Sequence, residues 1–189
     1  MLVTGASGGV GTAAVQMASR MGCHVVAATS QPDEGGKRGH LLAMGADVVV
    51  DARDAFDKDP NAANVDMVIE CVGEPTFGAS LKSLRSGGRL VLVGNVTNAT
   101  AQLPLGLCIV KSLSVIGTDS CAAAEVERLM AWMDEHELRP HVAEELRLDD
   151  VGRGHAMLEG REVSGRLVMV MDKEVWAGAG SGVGGKGGA

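Results

Sequence analysis

Apolar positions in the first half of the chain alternate between two rhythms. Leu2-Val3-Thr4 is a short apolar run that stops at a cluster of glycines. Val10, Ala13, Ala14, Met17, Ala18 and Met21 then recur at the three- and four-residue spacing of one helix face. Gly22 stands where a C-terminal cap belongs. Residues 24–29 read as a strand, 37–44 as a short helix ended by Gly45, Val48–Val50 as a third strand and 65–72 as a fourth. Pro75 can open the next helix, with Phe77, Leu81 and Leu84 on one face and Gly87-Gly88 closing it. Arg89–Val93 and Leu113–Gly117 read as the fifth and sixth strands. Residues 122–137 predict an acidic amphipathic helix with Val126, Leu129, Met130 and Met133 turned inward. A strand over 142–148, a helix over 149–160 and a strand over 166–171 complete the pattern.

Strands alternating with helices imply parallel βαβ units, and strand cores that are apolar almost throughout suit a sheet covered on both faces. The fold class expected is α/β: a Rossmann-type, doubly wound, six-stranded parallel sheet with helices on both faces, followed by a C-terminal β-α-β segment. We divide the chain into a domain over 1–138, a C-terminal segment over 139–173 and a disordered glycine-rich tail over 174–189.

Composition narrows the functions open to such a fold. Twenty-four acids against 17 bases give a net charge of −7, which argues against a broad nucleic-acid-binding face. No apolar run approaches the roughly 20 residues of a membrane-spanning helix. The four cysteines (Cys23, Cys71, Cys108, Cys121) form no C-x-x-C pair, so a zinc knuckle is not expected. The five histidines are equally scattered, and no metal site is expected. The start of the chain has neither a basic n-region nor an apolar h-region, and we expect a reduced, cytoplasmic setting.

The chemistry sits in Val3-Thr4-Gly5-Ala6-Ser7-Gly8-Gly9-Val10-Gly11, between the first strand and the first helix. A dinucleotide pyrophosphate needs a tight turn there, a backbone clear of side chains, and free N–H groups at a helix N-terminus. Gly8 would admit the pyrophosphate, and Gly11 would let the helix pack against the strand. The same residues fit the Thr-Gly-x-x-x-Gly-x-Gly pattern of short-chain dehydrogenases, but those generally use a tyrosine as proton donor and this chain has none. An NAD site usually carries an acid at the end of the second strand, about 20 residues past the glycines. Here that end reads Ala28-Thr29-Ser30-Gln31-Pro32, with Lys37 and Arg38 close by. Hydroxyls and cations suit a 2′-phosphate, so NADP(H) is the cofactor expected.

Several segments together resemble the cofactor-binding half of a medium-chain dehydrogenase/reductase, of the quinone-reductase and enoyl- or acryloyl-CoA-reductase branch. They are Val3–Ala18, Leu42–Asp51, Asp66–Gly73, Gly87–Asn95, Gly154–Gly160 and Gly165–Val168. The resemblance implies that Gly8, Gly9, Val10 and Gly11 hold the pyrophosphate, and that Ser30 and Lys37, beside Thr29, hold the 2′-phosphate. It implies that Cys71, Val72 and Gly73 line the path to the nicotinamide, that Val93, Gly94 and Asn95 approach it, and that Thr118 reaches its amide. The other reading of Cys71, which its residue type favours, is a small buried core residue. It further implies hydride transfer to or from a small-molecule quinone, enone, enoyl thioester or alcohol, without zinc, and a homodimer joined near Leu113–Gly117. Family members carry a GroES-like domain before this segment, and Met1 falls directly on the first cofactor strand, so that domain is expected to be missing, and residues 139–173, which the resemblance implies pack on it, are expected to have no partner in the chain. No catalytic residue is assigned. The alternative is a dinucleotide-binding module or NADPH sensor without chemistry of its own.

Overall fold

The computed structural model describes residues 1–171. The tail expected over 174–189 and the last two residues of the 139–173 segment lie outside the described residues. The strands are β1 (Leu2–Thr4), β2 (Val26–Thr29), β3 (Val48–Asp51), β4 (Val65–Glu70), β5 (Leu84–Leu92) and β6 (Ser114–Gly117), then β7 (Val142–Arg147) and β8 (Arg166–Val170). The helices are α1 (Gly9–Arg20), α2 (Lys37–Ala43), α3 (Glu74–Ser83), α4 (Leu105–Lys111), α5 (Ala123–Glu135) and α6 (Val151–Glu159).

The first six strands form one sheet in the order β3-β2-β1-β4-β5-β6, parallel throughout. The chain winds outward from β1 to β3, then crosses back to place β4 on the other side of β1. Loops leaving β1 and β4 therefore diverge, and a crevice opens at the C-terminal ends of those two strands. Successive β1 residues serve opposite faces. Leu2 joins Val26, Val68, Leu81, Leu84 and Leu90 under α3. Val3 joins Val15, Ala18, Val25, Leu41 and Val49 under α1 and α2. Each such fully buried aliphatic side chain contributes about 1.5–3 kcal/mol before entropy is counted.

Three details differ from the sequence reading. Helix α3 ends at Ser83, and Leu84 is already extended and buried, paired with Val65. Gly87-Gly88 therefore lies within β5, beside a register shift between Val65 and Met67, and does not cap the helix. The seven-residue α4 has no periodic stripe to betray it, since Leu105, Ile109 and Val110 are all exposed. Helix α5 forms, but its stripe is not inward: Val126 is 41%, Leu129 37% and Met130 54% exposed. Amphipathic spacing specified the helix correctly and did not specify a cover for it.

Strands β7 and β8 pair in parallel as a separate two-stranded sheet, joined by α6. Contrary to the expectation that it has no partner in the chain, this segment docks on the glycine turn, where the Gly165 N–H donates to the Ser7 carbonyl at 2.8 Å. It also brings the His141 ring within 4.1 Å of the His40 ring on α2. Burial, and then the facing His141, holds the His40 pKa below its ordinary 6.5. Its Nε2 is buried without a partner, in a recess also lined by Arg20, Glu137 and Arg139. The native contact favours neutral His40, so its stabilising contribution is present above the ordinary value and is lost as pH falls through the lowered one. We predict that amide exchange at Gly165 and Arg166, whose N–H groups donate to Ser7 and His141, accelerates on going from pH 7.5 to 5.5, relative to β1. Unchanged relative rates would show that the histidine pair does not hold the docked segment.

Candidate functional site: a cleft over the C-terminal strand ends

The turn after β1 is built for close approach. Gly5 has φ +57°, and its carbonyl accepts from the Gly8 N–H at 3.0 Å. A Cβ on Gly11 would overlap the Gly5 carbonyl oxygen and the Ala6 backbone, so only glycine lets α1 start this close to the turn. Ser7 Oγ lies 2.7 Å from Thr29 Oγ1, which ties the turn to the end of β2. Helix α1 has no side-chain cap. The N–H groups of its first turn lack intrahelical acceptors and, with the helix dipole, favour an anion. They stand at a cavity of about 620 Å³ whose walls include Gly8, Gly9, Val10, Gly11, Thr29 and Ser30.

The far wall of that cavity contains Cys71, Val72, Pro75 and Thr76. Beyond this wall lies a second cavity of about 470 Å³, whose lining includes Gly73, Val93, Gly94, Asn95 and Thr118. Gly73, at φ +101°, has no room for a side chain beside Asn95. A Cβ on Gly94 would overlap the Cys71 carbonyl. The Thr118 hydroxyl donates to the Leu92 carbonyl at 3.0 Å, leaving its oxygen lone pairs to accept. Apart from Lys37, the residues singled out from sequence thus fall into two adjoining cavities along one edge of the sheet.

Lys37 is buried at the start of α2 and lines neither cavity. The turn before it bends back through Gln31, Gly35 and Gly36, all at positive φ. Its neighbour Arg38 is turned to the Asp33 carboxylate and the Val49 carbonyl, both at 2.7 Å. The cations that do line the first cavity are Arg53, just past β3, and Arg161, just past α6. Arg53 holds Asp51 through its Nε and a terminal nitrogen, the closer contact being 2.7 Å. That hydrogen bond pulls the Asp51 carboxyl below its usual pKa, so the pair stays ionised. Neither arginine stood out in the sequence, because each reaches the cleft only through the fold.

Glu70 was also missed as an individual residue, although it lies in the Asp66–Gly73 motif. It is fully buried at the end of β4. Its Oε1 accepts from Thr4 Oγ1 (2.6 Å), Thr76 Oγ1 (2.7 Å) and the N–H groups of Val72 and Gly73 (3.0 Å each). Its Oε2 accepts from Ser80 Oγ at 2.5 Å. The adjoining Cys71 thiol is pushed up to about 11, first by burial and then by the Glu70 charge. The thiolate is the reactive form, so this upward shift slows Cys71 near neutrality. We predict that a thiol reagent at pH 8 modifies the exposed Cys23 and Cys121 faster than the half-buried Cys71. Rapid labelling of Cys71 in the native protein would contradict its placement.

The family model "Zinc-binding dehydrogenase" matches residues 9–135. The chain is 36% identical over 170 residues to an acryloyl-coenzyme A reductase of Metallosphaera sedula, covering 89% of this chain and 50% of that protein. It is 28% identical over 183 residues to the Homo sapiens quinone oxidoreductase, covering 90% and 54%. Among solved structures it resembles the yhdH oxidoreductase of Salmonella enterica in complex with NADP, with a TM-score of 0.71 and 25% identity over 89% of this chain and 53% of that one. The chain thus spans about half the length of the curated relatives it matches. The family's name implies zinc, yet the described residues contain no group of three His, Cys, Asp or Glu side chains placed to hold a metal. These residues do not fit the ion, and no step is derived through it. Sheet order, glycine turn and matched span agree: the chain belongs to the zinc-binding dehydrogenase family, as the cofactor-binding half of a medium-chain dehydrogenase/reductase.

Proposed function

We propose that the double cleft binds NADP(H) and that the chain serves a zinc-independent oxidoreductase. The observation that carries this reading is the uncapped first turn of α1, opening with Gly8 onto a cavity large enough for a nucleotide. The pyrophosphate would lie over Gly8–Gly11, the adenosine end by Thr29 and Ser30, and the nicotinamide against Gly73, Val93, Gly94, Asn95 and Thr118. The bound nicotinamide supplies hydride transfer, to or from a quinone, enone, enoyl thioester or alcohol. The residues of this chain bind the cofactor, orient it and shield it from water. A reduced, cytoplasmic setting belongs to the same reading, in keeping with four unpaired cysteines.

Preference for the 2′-phosphate rests on this chain's own groups. Strand β2 carries no carboxylate of its own at its tip, Asp51 beside it on β3 is held by Arg53, and Arg53 and Arg161 line the adenosine-side cavity. A charge-assisted contact to phosphate contributes about 1.5–3 kcal/mol, or about 10- to 100-fold in affinity. Arg53→Ala is therefore expected to weaken NADPH by about 10-fold or more and to leave NADH nearly unchanged. Equal losses for the two would remove Arg53 from 2′-phosphate recognition. A chain that binds NADPH but consumes none with quinone or enoyl-thioester acceptors would favour the binding-module reading.

The exposed apolar surface supports a homodimer. Every residue of edge strand β6 is exposed, Ile109 and Val110 on α4 are 76% and 82% exposed, and the α5 stripe is uncovered. An unpaired edge beside apolar surface is a template for association. Sedimentation should give twice the chain mass, and Ile116→Lys should shift it toward the monomer. A monomeric wild-type chain would refute the dimer.

A further inference from the structure

We propose that Glu70 is a positioning residue that holds the two halves of the cleft in register, so that a ligand spanning both depends on it and a ligand of one half does not. The proposal rests on the cofactor reading above. The donors that converge on Oε1 come from different walls. Thr4 precedes the glycine turn, Val72 and Thr76 line the first cavity, and Gly73 lines the second. Ser80 anchors Oε2 from the next turn of α3. Thr4 Oγ1 also accepts from the Cys71 N–H at 3.0 Å, so the whole Cys71–Gly73 ridge between the cavities hangs on this carboxylate and its threonine. Without it the Val72 and Gly73 N–H groups have no replacement at this site, and a buried unsatisfied donor is costly. The two threonine hydroxyls do have one each: Thr4 also approaches the Ile69 carbonyl at 3.5 Å, and Thr76 the Gly73 carbonyl at 3.3 Å. The ridge amides are therefore the groups most dependent on Glu70.

This assigns the effect to reach more than to charge. Glu70→Asp keeps the charge but draws the carboxylate back by one carbon, away from Ser80 and the ridge. Glu70→Gln keeps the reach: its amide oxygen can still accept from the ridge amides, its NH₂ can donate to Ser80 Oγ, and the threonine hydroxyls can turn to their alternative carbonyls. Binding of NADPH, which spans both cavities, is compared with binding of 2′,5′-ADP, which occupies the first alone. We expect Glu70→Asp to weaken NADPH by about 10-fold or more, corresponding to loss of one or two buried hydrogen bonds. Its 2′,5′-ADP affinity should stay within about 3-fold, and Glu70→Gln should stay within about 3-fold for both probes.

Parallel loss of both probes in Glu70→Asp would show a merely structural role, and unchanged NADPH binding would show no role; either overturns the proposal. A wild-type chain that binds neither probe would refute the cofactor reading instead. The positioning is then read without ligand, by amide exchange: Glu70→Asp should lose protection at Val72 and Gly73 while β1 keeps its own, and unchanged ridge protection overturns the proposal. If Glu70→Asp fails to fold, Thr4→Val serves in its place. It removes one donor to Oε1 and leaves the Cys71 N–H without its acceptor, so it should weaken NADPH selectively; no selective loss overturns the proposal.

Discussion

Replacing Gly8 with Val is expected to abolish NADPH binding while leaving the fold intact. Gly8 sits at φ −78° and ψ 171°, extended backbone that any residue adopts. A Cβ there would come no closer than 3.4 Å to the nearest protein atom outside its own chain neighbours, the Gly5 carbonyl oxygen. The protein itself thus has room for the Cβ. Two added methyl groups would instead occupy the cavity in front of the free N–H groups of α1, where the pyrophosphate is proposed to lie. Excluding the charged part of the ligand should cost at least about 100-fold, or about 2.7 kcal/mol. Melting temperature and circular dichroism should match wild type. A variant that still binds NADPH would place the pyrophosphate elsewhere.

Gly11→Ala, three residues on, is expected to act through stability. The added Cβ would overlap backbone atoms of Gly5 and Ala6, which cannot rotate out of the way as a side-chain tip could. Helix α1 would have to move off β1, and Val15 and Ala18 would leave the core they share with Val3. Overpacking of this kind costs about 1–3 kcal/mol. On a total of about 5–15 kcal/mol, that is a drop in melting temperature of about 2–12 °C for a chain of this size. Since the N-terminus of α1 moves too, NADPH binding should weaken along with it. A variant melting with wild type would mean that α1 is not pressed against the turn. The contrast between these neighbouring glycines separates the two uses of the motif: one leaves space for a ligand, the other lets a helix approach a strand.

Sequence patterns carry most of this fold because strand and helix periods differ, and because glycines such as Gly22 and Gly45 stand at element ends. The six strands of the sheet and four of its helices lie where the apolar rhythm puts them. The failures share a cause. Helix α4 is too short and too uniformly apolar to show a period, and Gly87-Gly88 resembles a cap although the strand runs through it. For α5 the stripe is real, but what covers it is a tertiary matter. In the site, the glycine turn was legible because backbone geometry restricts residue type there. Lys37 was chosen for closeness in sequence to Ser30, and the bend through Gln31–Gly36 buries it. Arg53, Arg161 and Glu70 carry no local signature; each becomes part of the cleft only once strands far apart in sequence lie side by side.

Calorimetric titration of the chain with NADPH, followed by NADH under the same conditions, measures directly whether the cleft takes a 2′-phosphorylated dinucleotide. One NADPH per chain, bound more tightly than NADH, is the result predicted. No heat of binding with NADPH, or NADH bound equally well or better, would contradict it.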